Sequence, residues 1–156
     1  MILKTRSLYS LVAIIILSAL FLFLQYSNVF SIQGIQPNVI LIFPLLLLFR
    51  EKGAIPFWVS LFSLLFFSYI LFPMWIGPVL LSVLLCGVVF FLKPFFTGNR
   101  FLDFLGIIAF LTLIFLLVLY AFHWEDRSIS VLLGSVVYNT GGGSLLWLLS
   151  SRFSFS

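Results

Sequence analysis

Six apolar runs, each separated from the next by a short polar or turn-forming break, organise this chain. The first, about 7–26, is long enough to cross a hydrocarbon core of roughly 30 Å at a rise of about 1.5 Å per residue. A polar, uncharged segment follows, and Pro37 and Asn38 open the second run, 37–49. Proline suits a first helical turn, where its missing N–H has no partner to lose. This run is short, about 20 Å of helix, and is expected either to recruit part of the preceding segment or to sit where the bilayer thins. Pro44 inside it frees a backbone carbonyl and predicts a kink. Arg50-Glu51-Lys52-Gly53 ends it with charge and a turn residue.

The third run, 54–72, carries Ser60, Ser63 and Ser68, hydroxyls able to bond within their own helix or across to another. The uncharged turn Pro73-Met74-Trp75-Ile76-Gly77-Pro78 leads into the fourth, 76–92. A basic break from Lys93 to Arg100 precedes the fifth, 101–122, and its phenylalanines are expected near the headgroups. His123-Trp124-Glu125-Asp126-Arg127 precedes the sixth, 128–149. No internal repeat stands out from the leucine and phenylalanine background.

Only the sixth run is interrupted by a polar, small-residue stretch, from Val136 to Ser144. Ser135, Asn139 and Gly143 follow at i, i+4 and i+8, with Thr140 and Ser144 beside them, so one helix face is small and hydrogen-bonding. Such a face serves tight packing inside the bundle, or docking of another membrane protein, and the Asn139 amide can bond across the contact for about 0.6–2 kcal/mol. The glycines Gly141, Gly142 and Gly143 open a third reading, an unwound segment facing a ligand cavity.

Composition turns these runs into membrane spans. Of 156 residues, 63% are hydrophobic and 8% charged, where a water-soluble domain carries about 25% charged residues. The expected fold is an all-α integral membrane protein with six transmembrane helices in one bundle, a single domain over 1–156 whose surface partner is membrane lipid. The net charge of +4 does not indicate nucleic acid, because the basic residues lie at the ends of the apolar runs. With alternating spans, Lys4, Arg6, Arg50, Lys52, Lys93, Arg100 and Arg152 share one side, and Arg127 lies on the other beside Glu125 and Asp126. This asymmetry predicts cytoplasmic N- and C-termini. Arg50, Lys52, Lys93 and Arg100 then form a cytoplasmic basic surface for a soluble partner or anionic lipid. The first run exceeds a usual signal core and lacks an Ala-x-Ala site, so it is expected to remain as a membrane helix.

Candidate chemistry is sparse. Cys86 is the single cysteine and lies in an apolar run, as a small buried hydrophobe does. His123, Glu125 and Asp126 crowd one turn without a second histidine or thiol, so they read as a solvated turn and no metal site is expected. Asp103, within one turn of Arg100, suits the positive end of a helix dipole. A serine membrane protease needs a histidine inside the bilayer and an aspartic one needs two acids at one depth; Asp103 and Asp126 fall on opposite sides. No run of acids suits magnesium. Neither catalysis nor a cofactor is expected.

Two stretches and the layout resemble a known family. Gln36-Pro37-Asn38 leads into the second run, and Val137-Tyr138-Asn139-Thr140 through Leu145-Leu146-Trp147-Leu148-Leu149 is followed by Ser151-Arg152. With six spans, these are similar to the rod shape-determining protein MreD family. The third span departs from that pattern, having neither its glycines nor its aspartate. The resemblance implies a non-enzymatic subunit of the bacterial inner membrane, involved in cell-shape maintenance and peptidoglycan synthesis. It would lie beside MreC and RodA and connect indirectly to the MreB cytoskeleton. It also implies a fold similar to the substrate-binding subunits of energy-coupling-factor transporters, which makes a vitamin or small-molecule transport subunit the alternative. In that case a polar pocket should open outward near Asn139, whereas a scaffold should have a filled core and an exposed small-residue face.

Overall fold

The structure, a computed structural model, describes residues 5–27, 35, 38–50, 54–123 and 129–150, with backbone alone at 5–7, 75, 122, 123 and 129. The described residues form six α-helices: α1 (Thr5–Tyr26), α2 (Val39–Arg50), α3 (Ile55–Leu71), α4 (Ile76–Leu92), α5 (Arg100–His123) and α6 (Ile129–Ser150). Each expected span has its helix. Four stretches are long and apolar enough to cross a membrane, Leu8–Tyr26, Ile76–Phe95, Arg100–Ala121 and Ser130–Ser150, and α2 and α3 are shorter. The bundle is an all-α membrane bundle whose outside is apolar: Ile16 and Phe23 on α1, Phe62 and Phe66 on α3, Leu84 on α4 and Val137 on α6 all face outward.

α2 is the centre. Its sequence is apolar on every side, the pattern of a helix surrounded by protein, and every residue from Val39 to Phe49 is buried. It touches α1, α3, α4, α5 and α6. Around it α1 packs on α3, α3 on α4, α4 on α5 and α5 on α6. Among the described residues α1 and α6, the two ends of this arc, meet only through α2.

Side-chain contacts give each helix its direction. Phe21 on α1 packs on Phe43 of α2, and Gln25, further along α1, reaches Val39, so α1 and α2 are antiparallel. Cys86 lies at Leu41 and Lys93 at Leu48, so α4 runs parallel to α2. Asn139 meets Asn38 and Trp147 meets Arg50, so α6 does too. Phe104 of α5 packs on Phe49 while Thr112 meets Asn139, so α5 runs the other way. Arg50, Lys93, Arg100 and Asp103 therefore share one end of the bundle.

This arrangement changes the reading of the second span. Its 12 residues make about 18 Å of helix, for which recruitment of part of the preceding segment or a thinned bilayer are the two expected accommodations. Lipid thickness acts on a helix through its lipid-facing surface, and α2 has none. Its neighbours set its surroundings instead. The helix starts at Val39 rather than at residue 37, because Asn38 is its cap; Pro37 lies outside the described residues. Pro44 cannot donate to the carbonyl four residues back, and in that turn the Cys86 thiol approaches the Leu41 carbonyl at 3.8 Å, a weak donor to a buried acceptor. Cys86 is thus both packing and a polar contact.

Because α2 is packed on all sides, truncation within it should cost far more than truncation at the outside. Leu45→Ala is expected to lower stability by about 2–5 kcal/mol, and Leu84→Ala, 60% exposed, by no more than about 0.5 kcal/mol, measured as unfolding free energies in one detergent.

Candidate functional site

A helix leaves its first N–H groups without intrahelical partners, and α2 begins where protein, not water, surrounds it. Three side chains answer for those groups. The Asn38 N–H donates to Asn139 Oδ1 at 2.7 Å, and the Val39 N–H donates to Gln25 Oε1 at 2.8 Å. The Leu41 N–H donates to Asn38 Oδ1 at 3.2 Å, which makes Asn38 a side-chain N-cap. The Asn139 amide is held from its other side too, donating through Nδ2 to Thr112 Oγ1 at 3.3 Å. Residues from α1, α5 and α6 thus converge on one helix start, and Asn38, Thr112 and Asn139 are all buried.

The expected small-residue face of α6 is placed by this contact. Ser135, Asn139 and Gly143 are buried and turn into the bundle, toward α2 and α5. Gly143 suits that packing: a Cβ there would stand 2.7 Å from Ile108 Cδ1, the end of a side chain that would have to shift, and 3.6 Å from the Phe104 ring, and both neighbours are themselves fully buried. Gly134 admits Ile35 in the same manner, a Cβ falling 2.6 Å from Ile35 Cδ1. Ile35 lies at Gly134 and Asn38 at Asn139, positions about 7.5 Å apart along α6.

Thr140 and Ser144 are half-buried and bond back, to the carbonyls of Val136 at 2.7 Å and Thr140 at 2.8 Å. Ser135 does likewise to Val131 at 2.8 Å. The helix runs unbroken through Gly141, Gly142 and Gly143, so these residues do not unwind. With no water to take up freed backbone groups in an apolar setting, the helical bonds are retained. Added Cβ atoms at Gly141 and Gly142 would meet nothing within 4 Å, so these two glycines lie away from the core.

The basic residues expected on a cytoplasmic surface lie at one end of the bundle, and two of them also bond within the chain. Lys93 Nζ donates to the Leu48 carbonyl at 2.7 Å, closing the C-terminal end of α2, where unpaired carbonyls favour a cation. Arg50 donates from the same guanidinium nitrogen to the Trp147 carbonyl and the Ser150 hydroxyl, tying α2 to the end of α6. Both cations are thus engaged within the chain. Lys93 and Arg100 are exposed and Arg50 is half-buried, and Lys52 lies outside the described residues.

Asp103 turns back along the chain, accepting from the Thr97 hydroxyl at 2.7 Å and from the Thr97 and Gly98 N–H groups, each at 3.2 Å. With Asn99 Oδ1 accepting from the Leu102 N–H at 3.3 Å, it caps the start of α5. Phe96 stacks on Phe49 at 5.5 Å while Phe95 is exposed, so only one of the two loop rings turns outward. Among the described residues no group of three His, Cys, Asp or Glu is placed to hold a metal. His123 closes α5 with its backbone described, and Glu125 and Asp126 lie outside the described residues.

Two participants escaped the sequence reading. Gln25 stands at the end of the first span and Thr112 in the middle of the most uniformly apolar one. A lone polar residue has no spacing to announce it. A comparison of the chain with protein-family models, curated proteins and solved structures finds no match.

Asn139→Ala leaves the buried Asn38 N–H without an acceptor and is expected to cost about 1–3 kcal/mol; Asn139→Asp keeps the acceptor but buries an ionisable carboxyl and should destabilise as well. Gly143→Leu should be worse than either, since the packing of Ile108 and Phe104 must open. Lys93→Met is expected to lower the unfolding midpoint by removing the Leu48 cap. Thermal unfolding of the purified variants in one detergent checks all four.

Proposed function

We propose that this chain is a non-enzymatic, multi-pass subunit of a bacterial inner membrane, with cytoplasmic termini, acting through helix contacts with partner membrane proteins of the cell-elongation machinery. The observation that carries this reading is the use of the interior polar groups. Asn139, the residue best suited to meet a ligand on α6, spends its oxygen on the Asn38 N–H and its nitrogen on Thr112. Gln25 and Asn38 serve the same helix start. A transport subunit would need the Asn139 amide free for its substrate, so the scaffold reading is favoured over that alternative.

A contact with a partner helix would then fall on the outside of the bundle rather than on Ser135, Asn139 and Gly143. On α6 the outer side carries Val137, 73% exposed, Leu145, and between them the exposed Gly141. A glycine with open space beside it lets another backbone come close, the arrangement through which membrane helices associate. MreC- and RodA-type proteins are the partners that the resemblance of the second and sixth spans implies, with MreB as an indirect one. The basic end, with Arg100 exposed, would be the cytoplasmic side.

A photo-crosslinking residue at Val137, activated in native membranes, is expected to capture elongation proteins of the MreC or RodA type. Gly141→Leu should reduce that capture about tenfold, equivalent to roughly 1.4 kcal/mol, while leaving the unfolding midpoint unchanged. Crosslinks to lipid alone would contradict the reading.

A further inference from the structure

The turn between α4 and α5 carries two cations without a counter-ion among the described residues. Lys93 gives one N–H donor to the Leu48 carbonyl and keeps two, on an exposed side chain. Arg100 is exposed too, and its guanidinium bonds nothing among the described residues. The two lie close enough for the Arg100 charge to act against that of Lys93. Asp103, the one described carboxylate at this end, is turned elsewhere. Its Oδ1 accepts from the Thr97 hydroxyl and N–H and its Oδ2 from the Gly98 N–H. The turn is held in this shape rather than left to spread. Phe96 stacks on Phe49 of α2 at 5.5 Å, and Gly98 takes a φ of 90°, a conformation that suits glycine.

Beside these cations the outside of the bundle is apolar in a regular way. On α4 and the turn after it, Leu84, Val88, Phe91 and Phe95 are all exposed, and steps of four, three and four residues put them on one face. From Phe91 back to Leu84 that face runs about 10 Å away from Lys93, the direction of the hydrocarbon. On α5 the exposed Leu102 and Phe110 continue from Arg100 in the same sense. Phe95, 83% exposed, stands two residues from Lys93, as an aromatic ring does at the headgroup boundary. Cations and lipid-facing side chains thus adjoin on two neighbouring helices. The described charged side chains, Arg50, Lys93, Arg100 and Asp103, all lie at this end.

We propose that the turn from Lys93 to Arg100 binds the phosphate of an anionic phospholipid, whose acyl chains lie along the outward faces of α4 and α5. The Arg100 guanidinium is a planar fork matched to phosphate oxygens, and the two remaining Lys93 N–H donors point charge at the same group. The lipid is anionic because a zwitterionic headgroup brings its own cation, whereas here two like charges call for an anion between them. The apolar face beside them selects a lipid over free phosphate. The site does not depend on the partner contacts proposed above, which lie on the outer side of α6.

The test uses the purified protein in phosphatidylcholine discs with a trace of phosphatidylglycerol bearing a photoactivatable group midway along one acyl chain. Labelled residues are mapped by mass spectrometry, and a matching phosphatidylcholine probe serves as reference. The expected result is labelling of α4 around Leu84 and Val88 that is several-fold stronger for phosphatidylglycerol. Arg100→Gln is expected to lower that labelling about fivefold, as the loss of one cation near a headgroup does, with phosphatidylcholine labelling unchanged. Arg100→Lys, which keeps the charge, should retain most of it. Arg100 is exposed and bonds nothing, so both variants should fold, whereas a Lys93 variant would also lose the Leu48 contact. Equal labelling by the two lipids, or equal phosphatidylglycerol labelling of wild type and Arg100→Gln, would overturn the proposal. So would labelling that inorganic phosphate abolishes and chloride at the same ionic strength does not, the mark of a free-anion site.

Discussion

A helix that begins inside a membrane bundle has to find partners for its first N–H groups without water, and the start of α2 is where this protein meets that demand. Each unpaired group in such a setting costs several kcal/mol, which no single packing contact offsets. Gln25, Asn38 and Asn139 supply the acceptors. Because these residues belong to α1, to the cap itself and to α6, meeting the demand also fixes how three segments stand relative to one another. α1 and α6 touch only through α2 among the described residues, so the bonds at the start of α2 are the join between the two ends of the arc.

The other end of α2 faces the mirror problem, with carbonyls in place of N–H groups. There the chain uses cations: Lys93 takes the Leu48 carbonyl, and Arg50 takes the last turn of α6. Basic residues at span ends carry topological information, and here two of them also close helix ends. A helix held at both termini by neighbouring elements, and by packed apolar side chains between, acts as an axle on which the other helices are arranged.

The fold was legible in the sequence because its signal is length and hydropathy, both local. The six runs correspond to the six helices within two residues at each end. The alignment of Ser135, Asn139 and Gly143 was legible for the same reason, since spacing of four residues defines a face whatever it touches. Spacing does not say which way the face points. That α2 lies inside an arc of the other helices, and that Asn139 therefore points at Asn38, comes from the packing of helices distant in sequence. Thr112 and Gln25 illustrate the limit: each is one polar residue in an apolar run, and its role is set by a partner 27 residues away in one case and 14 in the other. Arg50 and Lys93 were placed at the right end of the bundle by their position between runs, but their acceptors, carbonyls of Trp147 and Leu48, have no sequence signature.

Amide hydrogen exchange of the chain in bilayer discs, resolved over residues 38–50, tests most directly whether α2 is the enclosed and pinned centre of the bundle. The expected result is that the α2 amides, those of Val39 and Leu41 in its first turn included, exchange among the slowest in the protein, because both amides are hydrogen-bonded and their residues are buried. First-turn amides of α2 exchanging as fast as those at the exposed start of α5 would contradict it.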